Sequence, residues 1–364
     1  MKKAAFILFL LLPMLLSAQM LMFLNRPFAP AATGSAFSGT HHNNDITYFY
    51  GDSITQGYDP NFPNGPPLPN RFSTLLSAQC SLIESNEAVG GSQIVDSGES
   101  DMITGNDAIF GTNISVWLAG YNDMRFYGTN AAALSDNGTA LESLAAWLAL
   151  PTSQRVPWYT GAMLIGGWGG NSLLGGLAYT TLPGDFATFS FTGTTLLIGT
   201  ARGGTGGNVT VVVDGTVTNI YSCLRTSANT GHGRDYSAGL IIFTNLANTA
   251  HTATFTAQSA GTTYLGWYAA YATNQSPMVV LCGTLKIPAM GVGVGAPYIN
   301  GSDEAAADYS LMISNAANAL AAARLNVKYV PAPVLDTNTD FEFDWVHPNP
   351  SGHLKIKNAL QAAF

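Results

Sequence analysis

Charge is what this sequence has least of. Asp, Glu, Lys and Arg make up 10% of its 364 residues, against about a quarter in ordinary globular domains. The 14 basic residues face 22 acidic ones, for a net charge of −8, so there is no basic field to draw a phosphate backbone and no nucleic-acid partner is expected. Cysteine is scarce as well. Cys80, Cys223 and Cys282 are odd in number and widely spaced, which argues against a disulfide framework and matches no zinc or iron–sulfur pattern. Cys80 and Cys282 lie in apolar stretches where a small buried thiol is expected. Asp185, Asp214 and Asp235 are too scattered for a calcium site, and neither metal nor cofactor is expected.

Apolar residues, at 47%, and 39 glycines are plentiful. With many Ala, Thr and Asn, they describe a folded chain with a polar, weakly charged surface, common in exported, polysaccharide-facing or viral structural proteins. Lys2 and Lys3 precede AAFILFLLLPMLLSA at 4–18, which reads as an export signal cleaved after Ala18. No charge occurs from Ala4 to Asn25, so an uncleaved anchor over 1–24 is the other reading, and only that reading brings a membrane into play. Pro13 and Gln19 interrupt the span and favour cleavage. Residues 19–45 form a flexible leader, whose His41–His42 pair is expected to be solvated.

The length favours two domains over one, and the hydrophobic period changes twice along the chain. Before residue 155, short apolar runs at Ile46–Tyr50, Cys80–Ile83 and Ile114–Leu118 read as strands, with helices over Arg71–Ser77 and Thr139–Leu150. Between 155 and 275, seven or eight short alternating runs appear at 8–12-residue spacing, with Asp214–Gly215 as a hairpin signal. These predict a β-sandwich of jelly-roll type. Beyond 276, strands are expected at Met278–Leu281 and Val327–Val330, with helices over Asp303–Arg324 and Ser351–Ala363. Together the flanking parts, 46–154 and 276–364, predict an α/β fold: a doubly wound parallel sheet of five strands interrupted by an inserted β-domain.

The chemistry sits at predicted strand ends. FYGDSITQG (49–57) puts Ser53 on a Gly-bounded turn beyond the first strand, where ligands of open α/β sheets bind. A serine hydroxyl becomes a nucleophile only with a base in reach and donors aimed at the developing oxyanion. FDWVHPNPSGH (343–353) places Asp344 three residues before His347, in a loop that Pro348 and Pro350 keep out of helix. That spacing lets the carboxylate hold one imidazole nitrogen while the other faces the serine. NEAVGGSQI (86–94) and LAGYNDMR (118–125) follow the second and third strands.

These four blocks, in this order, resemble the SGNH/GDSL hydrolase family. The resemblance covers roughly 45–135 and 276–364 and implies a flavodoxin-like three-layer α/β/α fold with ester hydrolase activity and no cofactor. It implies that Ser53 is the nucleophile, His347 the base and Asp344 its partner. The oxyanion hole would be the Ser53 and Gly91 N–H groups with the Asn122 amide. Tyr121 and Trp345 stand as candidate substrate walls or core plugs. Asp52 is expected to brace the turn and His353 to pack or cap, while Asp123 and Arg125 either brace their loop or touch substrate. Trp267, Tyr268 and Tyr271 are more readily core than a sugar platform. The expected substrate is an extracellular O-acetylated polysaccharide, with lipid or small acyl esters as alternatives. A carbohydrate-binding adhesin or phage-tail-like receptor module with little hydrolase activity is the rival of another class. Oligomeric state is left open.

Overall fold

The structure is a computed structural model and describes residues 44–97, 114–118, 120–171, 177–227, 236–286 and 300–364. The expected export signal or anchor, most of the leader and His41–His42 lie outside these. Five strands form one parallel sheet: β1 (Ile46–Gly51), β2 (Ile83–Asn86) and β3 (Ile114–Leu118), joined after a long interval by Met278–Cys282 and Asn326–Val330. Numbered by their own sequence order, these five lie side by side as 2-1-3-4-5.

The two faces of this sheet follow from the pleat. Alternate residues point to opposite sides, and here both sides are apolar. Phe49, Val116, Leu118, Val280 and Cys282 pack on one face beneath residues from helices Phe72–Gln79 and Pro350–Gln361. Tyr48, Tyr50, Trp117, Val279 and Leu281 pack on the other, against helices Ala131–Leu148 and Asp303–Ala322. This double burial is why the three inner strands read as continuous apolar runs. Ser302 caps the second of those helices, accepting from the Ala305 N–H, and Asn130 caps the first through the Ala133 N–H.

Between the third and fourth parallel strands the chain builds antiparallel sheets. One has Phe186–Thr192, Ala250–Ala257, Asn208–Val213 and Val217–Ser222 side by side, with Met163–Ile165 at its edge. Another joins Tyr236–Phe243, Thr195–Gly203, Trp267–Tyr271 and Val156–Pro157. A third, of three short strands, pairs Leu177–Thr180 with Gly169–Asn171 and Thr263–Leu265. Ala187, Phe189, Ile198, Val211, Phe255 and Tyr268 fill the space between the first two.

The antiparallel sheets do not hang free of the rest. Helix Ala131–Leu148 lies against strand Tyr236–Phe243, and Ser143 Oγ donates to Gly239 O at 3.0 Å. Leu197, Leu240 and Trp267 belong to the same apolar cluster as Trp117, Val279 and Leu320. Asp136, wholly buried on this helix, lies 2.7 Å from the Arg202 guanidinium and accepts from the Thr226 and Ser227 N–H groups.

Three elements differ from the sequence expectation. The second strand is Ile83–Asn86, not Cys80–Ile83. The helix expected over Thr139–Leu150 begins at Ala131 and ends at Leu148. The apolar run 263–272 is split at Gly266 into two strands belonging to different sheets. All three cysteines are free and buried.

Candidate active site

β1 ends at Gly51, whose φ of +147° suits a residue without a side chain. A Cβ there would lie 2.4 Å from Thr55 Oγ1 and 2.6 Å from Leu118 O. The chain turns at Asp52 and enters helix α1, Ser53–Gln56. Asp52 caps this helix: its Oδ1 accepts from the Ile54 N–H at 2.9 Å. Gly57, left-handed at φ +76°, closes the helix. Ser53 is thereby held half-exposed just beyond the carboxyl end of β1.

Asp344, His347 and Ser53 form one hydrogen-bonded line. His347 Nδ1 lies 2.5 Å from Asp344 Oδ2, and His347 Nε2 lies 2.8 Å from Ser53 Oγ. The other oxygen of Asp344 accepts from the Val346 and His347 N–H groups, each at 3.0 Å. Burial pushes this carboxyl up, but those hydrogen bonds and the charge of His347 outweigh it and hold Asp344 below its ordinary value. An ionised Asp344 fixes a proton on Nδ1 and leaves the Nε2 lone pair facing the serine. The Tyr58 ring packs over the imidazole with its centroid 4.7 Å away. No local pattern points to Tyr58, because only the return of the chain at Gly57 brings it there.

The donor side is built from two further loops. Neither the Ser53 N–H nor the Gly91 N–H makes a hydrogen bond among the described residues. Gly91 has φ +82° and open space where a side chain would stand, while a Cβ on Gly90 would come 2.9 Å from Gln56 Oε1 and 3.7 Å from Ser53 Cβ. Asn122 is buried near the start of helix Tyr121–Tyr127. Its amide nitrogen donates to Ser92 O at 3.1 Å and to Asp52 Oδ2 at 3.3 Å, and its oxygen accepts from Arg125 Nη1 at 3.3 Å. Desolvation raises the Asp52 carboxyl to about 6, opposed by the Ile54 hydrogen bond and by the charges of His347 and Arg125.

The remaining candidates are positioned as follows. Tyr121 is fully buried, its hydroxyl donating to Val346 O at 3.0 Å, so it is a core plug and offers substrate no wall. Trp345 is partly exposed, on the turn between Asp344 and His347. Asp123 and Arg125 are buried and brace their loops: Asp123 accepts from the Ile94 N–H, and Arg125 lies over the Tyr121 ring. His353 packs on Phe72 with Nδ1 accepting from the Phe72 N–H, and burial pushes it down to about 3. The cap of the last helix is Asn349, which accepts from the Ser351 and Gly352 N–H groups. Trp267, Tyr268 and Tyr271 are buried in the antiparallel sheets, which removes them as a sugar platform. Among the described residues no cluster of three His, Cys, Asp or Glu side chains could hold a metal ion, and no helix is long and apolar enough to cross a membrane.

No protein-family model and no curated protein matches the chain. Solved structures similar to it include esterases. Porcine torovirus hemagglutinin-esterase is 10% identical, over 90% of this chain and 89% of that one, at a TM-score of 0.41. A two-domain esterase active on acetylated mannans is 10% identical, over 64% and 92%, at 0.33. A family two carbohydrate esterase from Cellvibrio japonicus is 9% identical, over 57% and 96%, at 0.25. At these identities no residue role passes from one chain to the other, and the chemistry rests on the distances above.

Proposed function

We propose that this protein is a serine ester hydrolase of the SGNH/GDSL type, on a flavodoxin-like sheet, acting by acyl transfer through Ser53. The observation that carries the reading is the line Asp344–His347–Ser53, closed at 2.5 and 2.8 Å across 294 residues of sequence. His347 Nε2 takes the Ser53 proton as Oγ bonds to the ester carbonyl carbon. Asp344 stabilises the imidazolium so formed. When the carbonyl reforms, the C–O bond to the alcohol breaks and His347 returns its proton to the leaving alkoxide. Water then adds to the acyl-enzyme by the same route, releasing the carboxylic acid and restoring Ser53.

The oxyanion is received by the Ser53 and Gly91 N–H groups and by the Asn122 amide. Asn122 already makes two bonds with its amide nitrogen, so it exchanges one of them for the oxyanion and loses no net bond in the transition state. Losing such a donor costs about 10²–10³ in kcat, and Asn122→Ala is expected to fall in that range, measured as acetate release. Residues 2–18 support export, and the weakly charged surface supports an acetylated glycan substrate.

A fluorophosphonate probe tests the assignment directly. Folded wild-type protein should be labelled at Ser53, and Ser53→Ala should be unlabelled and nearly inactive on a chromogenic acetate ester. Absence of labelling in folded protein would favour the adhesin; full activity in Ser53→Ala would move the nucleophile elsewhere.

A further inference from the structure

Trp345 has a left-handed backbone, with φ +59°, a conformation that a bulky side chain adopts at a cost and glycine adopts freely. Its side chain is only partly covered, with 39% of the residue exposed. It sits in the turn that carries the dyad, where its N–H donates to Glu342 O and the Glu342 N–H donates to His347 O. A strained aromatic kept in the open beside reacting groups points to a role outside folding.

It has company. Phe343, in the same turn, is 66% exposed, and Phe62, on the loop that follows α1, is 68% exposed. The two loops are tied together, because Asn61 Nδ2 donates to both Asp59 Oδ1 and Glu342 Oε2. Residues 51–65, 88–93 and 341–349 contain Asp52, Asp59, Glu342 and Asp344 but no Lys or Arg. Asp52 is buried and Asp344 is engaged by His347. The rim around Ser53 therefore offers flat apolar rings with Asp59 and Glu342 as its partly exposed acceptors, a charge balance that disfavours an anion. Flat rings cover the C–H faces of a sugar while carboxylates and amides take its hydroxyls.

We propose that Trp345, with Phe343 and Phe62, forms a stacking shelf beside Ser53 that binds the neutral sugar ring bearing the ester. This rests on the hydrolase reading and names the alcohol side of its substrate: an uncharged glycan, in place of a uronate, sialate or fatty alcohol. It also moves sugar recognition from the antiparallel sheets, whose aromatics are buried, to the turn between acid and base.

The test compares wild type, Trp345→Gly and Trp345→Phe. The readout is the ratio of kcat/KM on an O-acetylated neutral oligosaccharide to kcat/KM on ethyl acetate. Trp345→Gly should lower that ratio about tenfold, the scale of losing one well-placed aromatic contact, chiefly through KM on the glycan. Trp345→Phe should restore most of it, and Trp345→Gly should melt within a few degrees of wild type, because relief of the left-handed strain offsets part of the lost packing. A ratio within twofold of wild type in Trp345→Gly overturns the shelf, as does a drop in Tm of several degrees with equal losses on both esters. Calorimetry separates this from the hydrolase reading. In a Ser53→Ala background the acetylated oligosaccharide should bind about tenfold more weakly once Trp345 is Gly, and equal affinities refute the shelf whatever the turnover. If wild type hydrolyses neither ester, the hydrolase reading fails and the binding comparison still decides the shelf.

Discussion

The Asp52 carboxylate caps α1 and holds the Asn122 amide while lying entirely out of water. Its ordinary value is 3.8, and in the fold it is raised to about 6. The folded protein thus keeps that proton up to about pH 6, where an unfolded chain has released it. The cost of burying the ionised form is absent below pH 3.8 and complete above about 6. Asn is an equally good cap and does not ionise. Asp52→Asn should therefore gain on wild type by roughly 3 kcal/mol between pH 4 and pH 7, read as the change in their difference in urea unfolding. A difference that stays flat with pH would refute the raised carboxyl. Ser53, Asp344 and His347 were legible because the chemistry of a strand-end turn and of a three-residue acid–base spacing is local. Tyr58 and the exposure of Trp345 were not, since each depends on where two loops distant in sequence come to rest.

Among the elements, apolar content marked burial more faithfully than it marked pairing. Cys80 and Leu82 are buried in the connection after a helix, while the edge strand that follows is the polar IESN, with Ile83 half-exposed. An edge strand pairs through its backbone on one side only and needs little apolar surface. The helix from Ala131 hid behind Ser135, Asp136, Asn137 and Gly138, residues that ordinarily read as breakers. Tertiary partners override that preference: Arg202 meets Asp136, and the Asn137 amide donates to the Tyr309 hydroxyl. Gly51 belongs to this scale because three elements meet on it. Gly51→Ala would push a methyl into Thr55 and into the end of β3. It is expected to cost about 3 kcal/mol, seen as a lower urea midpoint, with the proposed esterase activity falling as the Ser53 turn shifts.

At the scale of the molecule, the antiparallel sheets and the parallel sheet share one apolar cluster across helix Ala131–Leu148. A simple insertion would have a polar seam; here Trp147 of that helix meets Trp267 with ring centroids 5.3 Å apart. No sequence period announces such a seam, because both sides of it look like ordinary core. The Arg202–Asp136 pair crosses the same boundary. Removing one member of a buried ion pair strands the other, so Arg202→Ala should destabilise the whole chain by about 3–5 kcal/mol. A single cooperative thermal transition moving down as a unit is the expected result; a second transition, confined to the antiparallel sheets, would show that the two parts unfold separately.

The pairing of β3 with Met278–Cys282 has a consequence in time. When residue 118 leaves the ribosome, one side of β3 can already pair with β1. The other side must wait for about 160 further residues, which at ~5–20 residues per second is on the order of ten to thirty seconds. During that wait a hydrophobic strand edge stands open, and the chain being made in the interval includes the sheets that will pack against the same core. The order of synthesis therefore sets a window in which wrong partners compete, and a burst of translation pausing between 118 and 278 would lengthen it.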